Sequence, residues 1–151
     1  METQTQYEQD LSGIHLWLLL WKASRAVEAH SARSIARFDM GISDFGVLEA
    51  LLHKGPLTVK QLGEKVLLTS GSMTAAVDRL IKRGLVTRCD DEKDRRARII
   101  QLTDKGKETI SEAFTQHRMA MERAIGGFSQ QERTELLPLL RRLGRVAEQH
   151  L

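Results

Sequence analysis

Leu85-Val86-Thr87-Arg88-Cys89, then the wholly charged run Asp90-Asp91-Glu92-Lys93-Asp94-Arg95-Arg96, then Ala97-Arg98-Ile99-Ile100-Gln101-Leu102 break the helical period of this chain. Two short stretches rich in β-branched and apolar residues around a charged run read as strand, turn and returning strand. Upstream of them, apolar residues at helical spacing mark three short helices. The first buries Phe45, Leu48, Leu51 and Leu52, with Ser43 as its expected N-cap and His53-Lys54-Gly55-Pro56 as its stop. Thr58 with Gln61 is a capping-box pattern that opens the second, with Val59, Leu62 and Val66 inward. Thr69 and Ser70 are expected to cap the third, whose apolar residues are Met73, Val77, Leu80 and Ile81 and which Gly84 ends after Arg83. Three short helices followed by a two-stranded hairpin form a winged helix-turn-helix. The expected fold is mainly α, with long dimerisation helices at both ends and a two-stranded wing.

Outward from this lobe, Leu11 to Phe38 reads as one long helix that no Gly or Pro interrupts after Gly13, and Gly41 breaks it. After the hairpin, Thr103 starts another helix that continues to about Ile125 and stops at Gly126-Gly127. Ser129 with Glu132 is a second capping box, and Leu136, Leu140, Leu143 and Ala147 line one face of the last helix. Pro138 lies inside that helix and is expected to kink it. The organisation is 1–40 for the N-terminal dimerisation helix, 41–104 for the DNA-binding lobe and 105–151 for the C-terminal helices completing the dimerisation region. Leu11, Ile14, Leu16, Trp17, Leu18, Leu19, Leu20 and Trp21 are apolar nearly all round the cylinder. A single lobe cannot cover that much surface, so a homodimer is expected, with Leu11, Ile14, Leu18, Leu136, Leu140 and Leu143 as dimer contacts.

The 151 residues are 41% hydrophobic and 28% charged, an ordinary globular balance that excludes wholesale disorder. The longest apolar stretch, Leu16 to Trp21, is far short of the roughly 20 residues a membrane helix needs, so no membrane association is expected. Glu2, Glu8 and Asp10 precede the first basic residue, Lys22, which argues against a secretory signal. Cys89 is the single cysteine, so no intrachain disulfide can form, and a cytoplasmic location fits best. The net charge of +3 is unevenly spread: Lys54 to Lys107 carries +6 and the remainder −3. A basic middle between mildly acidic ends points to a polyanionic partner for the middle, here double-stranded DNA.

The third short helix is the expected recognition helix. Thr69, Ser70, Ser72, Met73 and Thr74 occupy its first turns, where small hydroxyl residues let the backbone approach phosphate and base edges. Arg79, Lys82 and Arg83 are expected to neutralise backbone charge. In the hairpin, Lys93, Asp94, Arg95, Arg96 and Arg98 form the wing site. A charged turn is ordinarily just solvated. Beside a helix-turn-helix it reads as a wing tip, with Arg96 in the minor groove and Asp94 orienting it.

Asp94-Arg95-Arg96, followed by Leu102-Thr103 and Lys105-Gly106, resembles the wing and exit of MarR-family regulators, and Val77-Asp78-Arg79-Leu80 with Gly84-Leu85-Val86 is similar to that family's recognition helix and strand. The resemblance covers nearly the whole chain in order and spacing. It implies a triangular homodimer with a winged helix in each lobe, and a repressor that leaves DNA on binding a small molecule or on oxidation. His53-Lys54-Gly55-Pro56 with Lys65-Val66-Leu67-Leu68-Thr69 further resembles a branch responding to hydroquinones and quinones. A small phenolic or quinone-like effector is therefore expected between the dimer arms and the lobe, with Trp17, Trp21, His30 and Phe45 as candidate ligand residues, and His15 and Phe38 nearby. Aromatics at helical spacing are also ordinary core or dimer contacts.

Other classes remain beside this reading. Cys89, next to Arg88, is a candidate redox or electrophile-sensing thiol, against the ordinary role of a packed strand residue. A zinc-responsive regulator would need His30 and Asp39 or Glu28 to converge with His117, and no tight spacing demands that, so no metal is expected. A protein–protein adaptor is disfavoured by the basic lobe. The five histidines are scattered, no Gly-rich phosphate loop follows a strand and no nucleophile elbow occurs, so neither an enzyme nor a cofactor is expected.

Overall fold

The computed structural model describes residues 10–66, 70–94 and 97–151, with Ser70 described by its backbone. Helix α1 spans Gly13–Ala36, just inside the expected limits, and Ser12 caps it by accepting from the His15 amide at 3.2 Å. Helix α2 is Ile42–Lys54. Its N-cap is Gly41, with no side-chain bond, so the expected cap Ser43 lies inside the first turn. Strand β1, Leu57–Thr58, leads directly into α3, Val59–Val66. The expected capping box is in place there: the Thr58 amide donates to Gln61 Oε1 at 2.9 Å, and the Gln61 amide to Thr58 Oγ1 at 3.2 Å. Helix α4 is Ser70–Lys82, strand β2 Val86–Asp90 and strand β3 Arg98–Leu102. Helix α5 runs Asp104–Ala124 and α6 Gln130–Glu148. Pro138 lies within α6 without ending it.

The sheet has three strands in the order β1-β3-β2, not the two expected. The hairpin pairs Val86 with Leu102 and Asp90 with Arg98, while β1 pairs Leu57 with Ile100 on the other edge of β3, antiparallel throughout. The core sits where α2, α3 and α4 close on this sheet and on adjoining parts of α1 and α5. Val47, Leu48, Leu62, Met73, Ala76, Val77, Leu80, Ile100 and Ile110 are wholly buried in it. Helix α6 buries no residue, and α1 buries only Ser34 and Ile35. Leu11, Ile14, Trp17, Leu19, Trp21, Leu136, Leu137, Leu139 and Leu140 are all exposed. Among the described residues, no helix is long and apolar enough to cross a membrane.

Candidate nucleic-acid interface

Helix α4 divides cleanly between two faces. Met73, Ala76, Val77 and Leu80 are buried, whereas Gly71, Ser72, Thr74, Ala75, Asp78, Arg79 and Lys82 are exposed. The face with small hydroxyl residues is thus presented outward by a fully packed apolar stripe, as the 3.6-residue period requires. This placement corrects one expectation. Met73 has no exposed surface and anchors α4 to the core, so it is not on the exposed side of the helix where a DNA contact could be made. Its neighbours Ser72 and Thr74 are on that side. Thr69, Arg95 and Arg96 lie outside the described residues, as does the side chain of Ser70.

Arg79 of the helix and Arg83, just past its end, fasten it to the rest of the lobe. Arg79 donates from Nη2 to Asp44 Oδ1 at 2.7 Å and from Nε to the same oxygen at 3.2 Å. Asp44 is nearly buried in α2, and its hydrogen bonds raise the Arg79 guanidinium still further above its ordinary range. Arg83 donates to the Asp39 carbonyl at 2.6 Å and the Phe38 carbonyl at 3.1 Å, at the turn joining α1 to α2. Asp39 has a φ of 54°, a left-handed conformation that Asp tolerates better than most residues. Arg79 and Arg83 were expected at phosphate. Both tie α4 to the rest of the lobe, and Arg79 and Lys82 are exposed cations on that part of the helix. On the other side, Arg88 of β2 donates to Asp78 at 3.1 Å, tying the wing to α4.

The wing's exit is a compact knot. Gly84, at φ 71°, turns the chain out of α4. The Thr103 hydroxyl donates to the Gly84 carbonyl at 2.7 Å and accepts from the Gly106 amide at 2.9 Å, capping α5. The Thr103 amide donates to the Leu85 carbonyl at 3.1 Å, and Lys105 Nζ donates to the Arg83 carbonyl at 3.2 Å. Within the wing, Lys93, Asp94 and Arg98 are exposed at the end of the hairpin. The Lys93 amide donates to Asp91 Oδ1 at 2.9 Å, an Asx turn that shapes the loop.

The candidate ligand residues are not brought together. Trp17 and Trp21 stack on each other on α1, 6.2 Å between centroids, with about half of each exposed. His30 faces one cavity between α1 and α5. Phe45 is buried against His117, 4.8 Å between ring centroids, and borders a different groove of about 680 Å³. That groove lies between α1, α2, α3 and α5, and is also bordered by Ile42, His53, Val66 and His117. Sequence reading missed His53 and His117 as its lining, because only the packing of α5 across α2 reveals them. Ser34 donates its one hydroxyl proton to the Ser31 carbonyl at 2.7 Å, so at 2.9 Å it accepts from His117 Nδ1.

Cys89 is half-buried, and Gln101 Nε2 donates to its Sγ at 3.2 Å. Arg88, expected beside the thiol, reaches Asp78 instead. The convergence a zinc site would need does not occur: His117 is held by Ser34 and Phe45, and no metal-holding cluster exists among the described residues.

Comparison with known proteins agrees with this architecture. The sequence profile of the MarR family matches residues 38–97. The chain is 34% identical to the uncharacterized HTH-type transcriptional regulator YkoM of Bacillus subtilis, over 91% of this chain and 89% of that one. It is 33% identical to the HTH-type transcriptional regulator MhqR of Bacillus subtilis, over 90% of this chain and 94% of that one. In fold it is similar to a mutant MarR from E. coli crystallised with operator DNA, with a TM-score of 0.79 and 20% identity, over 89% of this chain and 99% of that one. The packed recognition helix, the wing tied to it and the knot at the wing's exit are those of a transcriptional regulator rather than an enzyme, and the chain belongs to the MarR family of winged helix-turn-helix proteins.

Proposed function

We propose that the protein is a homodimeric repressor that binds palindromic DNA and is released by a small phenolic or quinone-like ligand. The observation that carries the DNA reading is the exposed Ser72–Thr74 face of α4, held outward by a wholly buried stripe and braced by Arg79–Asp44 and Arg88–Asp78. In the proposed complex that face enters the major groove. Lys82, Lys93 and Arg98 meet phosphate, and Arg95 and Arg96, which lie outside the described residues, reach the flanking minor groove. The operator DNA crystallised with the E. coli relative supports the same docking here.

The ligand belongs in the groove bordered by Phe45, His53 and His117. Its volume suits a small aromatic molecule, and its imidazoles can bond a phenolic hydroxyl. The resemblance to the quinone-responsive branch supports this class of effector. Arg83 and Arg79 then transmit the signal, because both join the recognition helix to the α1–α2 segment bordering the groove. A nearly complete switch requires the ligand to prefer the released conformer by roughly 5.5 kcal/mol.

Fluorescence anisotropy on the duplex upstream of the protein's own gene, across a salt series and with a phenol and quinone panel, tests this. Tight binding with a steep salt slope, lost on adding one compound, is the expected outcome. Arg96→Ala is expected to weaken binding roughly tenfold or more while the fold is retained. Absence of binding to any selected duplex would overturn the DNA reading.

A further inference from the structure

A second cavity, of about 240 Å³, opens between α1 and α5 and shares no lining residue with the groove assigned to the aromatic effector. Its polar wall is His30, Arg33, Ser34 and Arg37 from the end of α1, with Gln116 and Arg123 from α5. Only two alanines, at 120 and 124, complete it. Three arginines and a histidine thus line one small space whose lining contains no carboxylate.

None of the three arginines has an ion-pair partner among the described residues. The ion pairs there belong to His15, Arg79, Arg88 and Arg133. Glu122, the carboxylate adjacent in sequence to Arg123, is taken by Arg133 at 2.7 Å. Arg33 and Arg123 each sit in the last turn of their helix, where the dipole favours a cation. Roughly half a charge at each helix end does not neutralise three full charges. These exposed arginines therefore stand without an ion pair among the described residues, and guanidinium groups are suited to bidentate capture of carboxylate or phosphate. The Ser34 hydroxyl proton is already committed to Ser31, which leaves the Gln116 amide as the neutral donor.

We propose that this cavity is a binding site for a small dianion, a phosphate monoester or an aliphatic dicarboxylate, held by Arg33, Arg37 and Arg123. No Phe, Trp or branched aliphatic side chain lines it, which separates this ligand from the flat aromatic one of the neighbouring groove. A bound dianion ties the end of α1 to α5 and so acts as a second effector on the frame that supports the lobe.

Isothermal titration calorimetry of the full chain at constant ionic strength tests the assignment, using inorganic phosphate, glycerol 3-phosphate and succinate, with sodium chloride as the control. Saturable uptake of one dianion per chain is expected, and the tighter of the two organic probes identifies the source. Arg33→Gln and Arg123→Gln should each weaken uptake roughly tenfold, the scale of one charged hydrogen bond. Arg33→Lys, which keeps the charge, should retain part of it. Arg141→Gln on α6, outside the cavity, should leave it unchanged, and circular dichroism checks that every variant is folded. Heats no larger than those of sodium chloride, or uptake indifferent to Arg33→Gln and Arg123→Gln, would overturn the proposal. So would a weakened dimer in those two variants, seen by sedimentation, without dianion uptake by the parent chain. That result would assign the cavity to an acidic residue of a second copy.

Discussion

Gly106 is fixed by its neighbour's backbone. A Cβ built there overlaps the Leu85 carbonyl oxygen and lies 2.8 Å from the Leu85 carbonyl carbon, and neither atom can rotate away. Gly106→Ala is therefore expected to cost at least about 1–3 kcal/mol, the scale of overpacking, read as a lower urea midpoint with an unchanged slope. Lys105-Gly106 and Gly84-Leu85-Val86 stand out in the sequence as two separate motifs. Only the fold shows that they are two sides of one contact, closed by Thr103. The charges of α4 were equally visible, but their bracing role was not, because a sequence displays an arginine without its partner. Arg79→Ala should lower stability as well as DNA affinity, since it strands the nearly buried Asp44 carboxylate. Ser72→Ala and Thr74→Ala should lower DNA affinity with stability retained. Urea unfolding and anisotropy on the same variants separate these roles, and equal stability of Arg79→Ala and the parent would contradict the bracing role.

The local signals at this chain's helix ends were legible because a capping box is complete within four residues. Thr58 with Gln61 and Ser129 with Glu132 form as the sequence implies. Strand β1 was not legible: two residues carry no period, and their pairing with β3 joins Leu57 to Ile100 and Thr58 to Ile99, far apart along the chain. The start of α2 was misplaced for a related reason. Ser43 is a good cap by type, yet the backbone is already helical at Ile42. The capping box of α6 has a pH signature. The Ser129 amide, followed by its hydroxyl, holds the Glu132 carboxyl below the usual glutamate range. A depressed folded pKa contributes stability above the unfolded value and loses it as pH falls through the folded one. Helix content should accordingly decline as pH is lowered through and below the ordinary glutamate range, and Glu132→Gln should reduce the part due to α6, as followed by circular dichroism. An identical acid profile in Glu132→Gln would remove the box from that transition.

At the scale of the whole molecule, the lobe and the arms obey different rules. The lobe closes around its own core, so its helices, wing and buried residues follow from periodicity within one chain. The arms do not close: Leu11 is 95% exposed, Ile14 63% and Leu139 60%, and α6 buries nothing. Apolar helical surface on this scale is what a second copy would cover in the proposed dimer. Replacing Leu136 and Leu140 with arginine should then yield monomers by sedimentation and remove tight operator binding, while the urea midpoint of the lobe is kept. A two-fold dimer also fixes the separation of its two recognition helices, and successive major grooves facing one side of the duplex are about 34–36 Å apart. Once the operator's half-sites are mapped, inserting about 5 base pairs between them turns one half-site to the opposite face of the DNA. Only one lobe can then dock, and affinity should fall towards that for non-specific duplex. A second insertion of about the same length restores the facing and should restore part of the affinity, provided the arms can stretch to the added turn. Affinity that is insensitive to the first insertion would mean that each lobe binds alone, and would separate the exposed arms from DNA recognition.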